Sequence, residues 1–200
     1  MDMQHGMLPS MATPRARGTA TAADIVDERH EVIRGELVPK EAASILHSTT
    51  QGAMAGVLYP FSGRSRPGSI GGWWIATEAE IELAPHEVYL ADLAGWRIDH
   101  VPELPDIRPM RIKPDWVCEI LSPSTMRRDR GHKQRTYHRA GVGHYWLVEP
   151  VDGAIWSYRW SAEGYAEVAS IEAEDVPAGE LVRLEPFDAI GIDLAGIFVR

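Results

Sequence analysis

Short runs rich in aromatic and β-branched residues recur along this chain, separated by clusters of Gly, Pro and polar residues. Such runs are typical of β-strands. The pattern predicts strands over residues 73–83, 87–96, 115–121, 144–148, 154–160, 165–171 and 180–184, and a hairpin or irregular strand pair over 30–38. Gly35 marks the bend of that hairpin, and the Ser161–Gly164 link suits a second hairpin turn.

Helical spacing of apolar residues is clearest between the first hairpin and the first long strand. There it predicts a long helix over residues 40–59. Two further helices are predicted, over residues 19–29 and 128–140, and the second ends at Gly141, where a C-cap glycine is expected. The order of helix, three strands, helix and strand indicates an α/β domain built around a mixed sheet.

The composition suits one globular domain. The chain has 200 residues, of which 44% are hydrophobic, and this is enough for a sizeable core. Its first residues are rich in Met, Pro and small side chains and lack the apolar centre of a signal peptide. We therefore predict a disordered tail over residues 1–20 and a single domain over residues 21–200.

Two further features predict the setting of the protein. No apolar run approaches the roughly 18 residues of a membrane span, so no membrane partner is expected. The single cysteine, Cys118, lies in an apolar strand and fits a reducing, cytoplasmic location.

The charge of the chain is segregated. A net charge of −9 argues against a protein that coats nucleic acid non-specifically, because such binding depends on neutralising phosphates. Six cations nevertheless stand against Asp129 in one short segment: Arg127, Arg128, Arg130, Lys133, Arg135 and Arg139. This segment is either a solvated helix face or a local site for an anionic substrate.

Glu119 is an acid inside an apolar strand, which is costly unless a cation or a metal ion compensates for its burial. An exposed position on a half-buried strand, or a pair with an arginine, would also explain it. Asp115 cannot share a metal ion with Glu119, because four residues along a strand span about 13 Å. Two oxygens on one magnesium ion lie within about 4 Å of each other. Asp115 is better interpreted as a residue at the start of the strand.

A second ligand must therefore come from a neighbouring strand. Asp92 is the best candidate, since it too is an acid in an apolar strand, in the element just before. Lys133, one of three lysines in the chain, lies in the helix after the Glu119 strand and four residues from Asp129. It either forms a surface ion pair with Asp129 or acts as a cation at the site.

Several segments together resemble the Uma-two family of restriction endonuclease-like proteins, which is part of the PD-(D/E)XK nuclease superfamily. The segments are 30–37 (HEVIRGEL), 71–75 (GGWWI), 91–96 (ADLAGW), 114–125 (PDWVCEILSPST), 128–133 (RDRGHK), 137–142 (YHRAGV) and 144–150 (HYWLVEP). The resemblance covers most of residues 25–200. It implies a restriction endonuclease-like mixed sheet with an αβββαβ core, helices on its faces and an added C-terminal hairpin.

The resemblance also implies a site. Asp92 and Glu119 match the acidic pair that binds Mg²⁺, with Mn²⁺ as an alternative, and the backbone carbonyl of Ile120 is a third ligand. Leu121 stands where the superfamily has its lysine, so Lys133 is expected to supply that group from the next helix. Accessory roles are expected for His47, Glu41 and Glu78, and phosphate contacts for Arg128 and Arg130.

The expected activity is Mg²⁺-dependent hydrolysis of phosphodiester bonds in DNA by an endonuclease. The alternative, favoured by the net negative charge, is a non-catalytic nucleic-acid-binding or interaction protein on a nuclease-like fold. A zinc protease is not indicated, because the eight histidines include no i,i+4 pair. The seven tryptophans and the hairpin-rich C-terminal region leave room for a homodimer interface.

Overall fold

One eight-stranded sheet organises the described part of the chain, which comprises residues 18–25, 30–122 and 129–198 of a computed structural model. The strands are β1 (His30–Ile33), β2 (Glu36–Pro39), β3 (Trp73–Ala84), β4 (Glu87–Arg97), β5 (Trp116–Ile120), β6 (His144–Glu149), β7 (Ala154–Ser161) and β8 (Gly164–Glu172). The helices are α1 (Ile45–Leu58) and α2 (Gln134–Ala140), and a π-helical turn, Asp129–Lys133, leads directly into α2.

The sheet is mixed but mostly antiparallel. Its strand order is β2-β1-β4-β5-β6-β7-β8, and β3 pairs with β4 outside this path. Only β5 and β6 pair in parallel among the described strands. A parallel pair needs a crossover connection, and α2 lies in that connection.

The pairing of β4 with its neighbours is interrupted along one of its edges. β3 pairs with β4 over almost its whole length and so occupies the other edge. On the interrupted edge, β1 pairs only at Glu87 and Val88, and β5 pairs only over residues 93–95. Residues 89–92 therefore face a gap between β1 and β5, and side chains must satisfy the main-chain groups there.

Each face of the sheet carries a buried apolar cluster. One cluster contains Met54 and Leu58 of α1 together with Phe187 from the C-terminal region. The other contains Tyr137 of α2 and Val142, which follows it. Because both faces are covered, every residue of β5 is buried, and an acid placed there is removed from water.

The α/β class with helices on a mixed sheet is confirmed, and the predicted strands from 30 to 171 agree with the observed ones to within about two residues. The first hairpin turns at Arg34 and Gly35, whose φ angles of 54° and 74° suit a two-residue hairpin loop. None of the helices in the described residues is long and apolar enough to cross a membrane.

Three predicted elements are wrong at least in part. The long helix begins at Ile45, not at residue 40, because the Ser44 hydroxyl caps it by accepting a 3.1 Å hydrogen bond from His47 N. The helix predicted over 19–29 is a short 3₁₀ turn, Ala22–Asp24, as far as residue 25, and residues 26–29 lie outside the described residues. The strand predicted over 180–184 is a single bridge between Val182 and Ile192.

The predicted N-terminal tail lies outside the described residues up to residue 17. Its last residues contact the first hairpin: Ala20 N donates a 2.8 Å hydrogen bond to Gly35 O. A Cβ atom on Gly35 would overlap the main chain of Gly18, so the close approach of the two segments requires glycine.

Candidate active site

Asp92 and Glu119 lie on adjacent strands at the gap in β4. The last paired residues of β4 and β5 are Leu93 and Cys118, and one further step along this register places Asp92 opposite Glu119. Both acids are only 2% exposed. The structure thus brings together the two acids that the sequence singled out, and the strands hold them as cross-strand neighbours.

The main chain of Ile120 is part of the same arrangement. Its N–H donates a 2.7 Å hydrogen bond to Oδ2 of Asp92. Since the N–H and C=O of one strand residue point to the same edge, the carbonyl of Ile120 also faces β4. This is the carbonyl expected as a metal ligand.

Lys133 reaches Glu119 from the π-helical turn. Its Nζ lies 3.2 Å from Oε1 of Glu119 and 2.8 Å from Oε1 of Glu31. Lys133 is 3% exposed, so its ammonium is not at the surface, and the side chain of Asp129 lies outside the described residues. π-Helical turns are rare and often occur at functional sites, and this one places the ammonium beside a buried carboxylate.

Tyr137, which the sequence did not single out, holds Glu119 from α2. Its hydroxyl donates a 2.8 Å hydrogen bond to Oε1 of Glu119. Burial and the nearby Glu119 carboxylate raise the pKa of Tyr137 well above its ordinary value, so the phenol keeps its proton and remains a donor.

Glu31 is a third buried acid that the sequence interpretation missed. It is 1% exposed, and its Oε1 accepts a 3.0 Å hydrogen bond from Leu90 N. The carboxylate thus bonds to a main-chain group that faces the gap in β4. An acid beside Val32 and Ile33 in a short strand is the same signal that identified Asp92 and Glu119.

Lys40 is a third residue of the site that the sequence interpretation missed. Its Nζ donates to Oδ1 of Asp92 at 2.9 Å, to the carbonyl of Leu90 at 2.8 Å and to Oε2 of Glu78 at 3.3 Å. Lys40 therefore satisfies the other main-chain group of Leu90 in the gap. The ammonium also supplies a direct counter-charge to the buried Asp92.

His47 and Glu78, both expected to be accessory, lie at the same place. Nε2 of His47 is 3.3 Å from Oδ1 of Asp92 but forms no hydrogen bond with it, and this nitrogen is buried. Glu78 has a φ of 49° and lies between two residues of β3 that pair with Leu93 and Ala91, the residues on either side of Asp92. Ligand atoms of His47, Glu78 and Asp92 all lie within 4.8 Å of one another.

The amide of Gln51 connects Glu78 to β4. Its Nε2 donates to Oε1 of Glu78 at 2.7 Å and to the carbonyl of Asp92 at 2.8 Å. A positive φ in a residue other than glycine, as at Glu78, is strained. The Gln51 amide holds the side chain of Glu78 in place.

The other residues considered from the sequence lie away from the two acids or outside the described residues. Glu41 is exposed in the segment before α1, and no contact to the buried acids is found for it among the described residues. Asp115 accepts a 2.8 Å hydrogen bond from Arg97 N, which agrees with a structural role at the start of β5. Arg128 lies outside the described residues, and so does the side chain of Arg130.

The electrostatics favour charged forms for Asp92 and Lys40. Burial by itself would raise the pKa of Asp92, but His47 and Lys40 outweigh it and hold that pKa well below its ordinary value. Burial would likewise lower the pKa of Lys40, yet Asp92 and Glu119 raise it above its usual range. The two groups form a partly buried ion pair, which persists only where the geometry and the hydrogen bonds compensate for desolvation.

The donor set fits a hard divalent cation. Carboxylate and carbonyl oxygens are the ligands that Mg²⁺ and Mn²⁺ prefer, and Asp92, Glu119 and the carbonyl of Ile120 offer such oxygens where the pairing of β4 and β5 ends. The buried, unbonded Nε2 of His47 adds a nitrogen donor next to Asp92.

Comparisons with known proteins agree with this architecture. A family model described as "Uma2: Putative restriction endonuclease" matches residues 23–193. A solved structure described as "a putative nuclease belonging to DUF820 from Anabaena variabilis ATCC 29413" has 18% sequence identity and a TM-score of 0.66, and the match covers 89% of this chain and 97% of that one. At this identity the likeness shows a shared fold, which is restriction endonuclease-like. A search of curated proteins finds no match. Because the family model covers most of its length, the chain belongs to the Uma2 family of restriction endonuclease-like proteins.

Proposed function

We propose that the protein is a Mg²⁺-dependent endonuclease that hydrolyses phosphodiester bonds in DNA. The observation that carries the proposal is the placement of Asp92 and Glu119, two buried acids opposite each other on neighbouring strands, with the Lys133 ammonium 3.2 Å from Glu119. Membership of a family described as restriction endonucleases supports the same reaction class.

Asp92, Glu119 and the carbonyl of Ile120 would hold the ion, with Mn²⁺ as a substitute. A bound divalent ion polarises the scissile phosphate and lowers the pKa of a water molecule. The protein fixes its own ligands beforehand: Ile120 N holds Asp92, and Tyr137 holds Glu119. Fixed ligands need little reorganisation during the reaction.

Lys133 has the role of a fixed cation beside the reacting phosphate. Its position between Glu31 and Glu119 holds the ammonium in place. From there it can orient the attacking water or stabilise the negative charge that develops in the transition state.

The substrate has room to approach. An open cleft of about 460 Å³ is lined by Glu78, Leu90, Trp96 and Arg108, among other residues. We call the charged groups around the two proposed ligands the acidic centre: Glu31, Glu78, Asp92, Glu119, Lys40 and Lys133. Because Glu78 and Leu90 both contact Lys40, the cleft borders this centre. Phosphate contacts from Arg128 and Arg130 remain part of the proposal, as do the cytoplasmic location and a homodimer.

A second candidate is a protein that binds nucleic acid without cutting it. The net charge of −9 favours this alternative, because the field of the whole molecule repels phosphates. It does not explain why three acids and two lysines meet in a gap of the sheet.

The test incubates the purified full chain with single- and double-stranded DNA in Mg²⁺, in Mn²⁺ and in EDTA. We expect cutting that requires the ion and is lost in Asp92→Asn and in Glu119→Gln. Asp115→Asn is the matched control, since it changes a strand acid outside the centre and should leave cutting unchanged. Cutting that survives both active-site substitutions would refute the assignment of the site, and DNA binding without any cutting would favour the alternative.

A further inference from the structure

We propose that Lys40 is a resident cation that fills the position of a further divalent ion, so that removing its ammonium opens an additional metal site formed by His47, Glu78 and Asp92. The inference rests on the proposed function, because it concerns the same acidic centre. It adds a positioning role for a lysine that the motif of the family does not account for.

The surroundings of the ammonium are those of a bound cation. Three oxygens from β3 and β4 surround Nζ of Lys40: Oδ1 of Asp92 at 2.9 Å, the carbonyl of Leu90 at 2.8 Å and Oε2 of Glu78 at 3.3 Å. Carboxylate and main-chain carbonyl oxygens are also the usual ligands of hard metal ions. The Lys40 ammonium therefore occupies a pocket whose oxygens would also suit a hard metal ion.

The buried nitrogen of His47 is the second, independent observation. A lysine ammonium has three hydrogens to donate, and the three oxygens account for all of them. Nε2 of His47 stays buried without a hydrogen bond, although it is 3.3 Å from Oδ1 of Asp92. An unsatisfied buried polar atom is costly, and a metal ion in this pocket would satisfy it.

The spacing of the possible ligands also suits an ion. Atoms of His47, Glu78 and Asp92 lie within 4.8 Å of one another, so modest side-chain movements would let all three bind one ion. An imidazole nitrogen in the set favours Mn²⁺ over Mg²⁺, since imidazole suits transition metals better than the hardest ions.

The charges of the centre explain why a lysine would be placed here. The formally charged groups are Glu31, Glu78, Asp92, Glu119, Lys40 and Lys133. Four carboxylates and two ammonium groups leave a formal charge of −2, which one divalent ion neutralises. Without Lys40 the formal charge of the centre would be −3, and this charge would attract a further cation.

The position of Lys40 in the chain supports a fixed role. It lies directly after β2 and before the Ser44 cap of α1, in a segment without helical structure. Its side chain is 17% exposed, so solvent screens the pair with Asp92 only in part.

The experiment counts bound Mn²⁺ in the full chain by isothermal titration calorimetry and by the EPR signal of free Mn²⁺. Lys40→Met should bind one more Mn²⁺ per chain than the wild type. The gain should disappear when His47→Ala is added to Lys40→Met. Lys113→Met is the matched control, because Lys113 donates to Gly141 O away from the centre, and it should bind the same number of ions as the wild type.

Two results would overturn the inference: an unchanged count in Lys40→Met, or a gain that survives the loss of His47. Circular dichroism checks the fold of each variant, and Lys40→Gln replaces Lys40→Met if the latter does not fold. The readout is independent of cutting. If Lys40→Met gains the ion and the wild type cuts no DNA, the proposed function is contradicted and this inference still stands.

Discussion

The main-chain N–H of Ile120 donates a 2.7 Å hydrogen bond to the side chain of Asp92. This bond spans the point where the pairing of β4 and β5 ends, so a carboxylate takes the place of a strand carbonyl. It fixes Asp92 of β4 beside Ile120, the residue that follows Glu119 in β5. The two proposed metal ligands are thereby held by the sheet itself.

The pairing of Lys133 with Glu31 leads to a prediction about stability. Lys133→Met removes the ammonium that lies 2.8 Å from Glu31 and 3.2 Å from Glu119. Breaking a buried ion pair by removing one partner costs about 3–5 kcal/mol, so we expect the free energy of unfolding in urea to fall by about 3 kcal/mol. Cutting should fall by about 10²–10³-fold, as when one fixed donor is lost from an active site.

A double variant separates charge from packing. Adding Glu31→Gln to Lys133→Met removes one of the buried negative charges that the lysine compensates. We expect the double variant to regain part of the lost unfolding free energy but none of the lost cutting. Equal stability of the wild type and Lys133→Met would show that the pair makes no net contribution.

Tyr137 should act as a positioning residue. Tyr137→Phe removes a hydrogen bond to the buried carboxylate of Glu119, and bonds to charged groups contribute about 1.5–3 kcal/mol. We expect a loss of stability in that range and a lower kcat with little change in KM, because Glu119 is then less firmly oriented.

The control for Tyr137 is Tyr165→Phe. Tyr165 donates a 2.8 Å hydrogen bond to the carbonyl of Val142 and touches none of the acids in the described contacts. Its loss should lower stability and leave cutting unchanged. Equal losses of cutting in the two variants would show that Tyr137 has only a structural role.

Divalent ions should stabilise the folded protein. An ion that binds only the folded state raises stability by about 2.7 kcal/mol at a hundred times its Kd. We therefore expect the melting temperature to be higher in Mg²⁺ than in EDTA at matched ionic strength, and the difference to vanish in Asp92→Asn. An equal rise in that variant would indicate an ion bound at another site.

The sequence predicted the half of the centre that depends on local pattern. Asp92 and Glu119 stand out because each interrupts an apolar strand, and strand geometry excludes Asp115 as a partner. Lys133 followed from the resemblance to a known family. These residues lie in strands or helices whose bounds the periodicity of the chain defines well.

The other half depends on pairing between distant segments. Glu31 is 59 residues from Leu90, and Lys40 is 52 residues from Asp92. Both contacts exist only because β1 ends early along β4 and leaves a gap. Lys40 was further obscured because it was assigned to a helix, whereas the Ser44 cap starts α1 after it.

The most direct test of the central claim is the position of a bound ion. Crystals of the full chain soaked in MnCl₂ should give an anomalous peak bonded to carboxylate oxygens of both Asp92 and Glu119, at about 2.0–2.2 Å as for ions of this kind. A peak that contacts only one of these acids, or soaked crystals with no peak between them, would contradict the claim that the two acids share a metal ion.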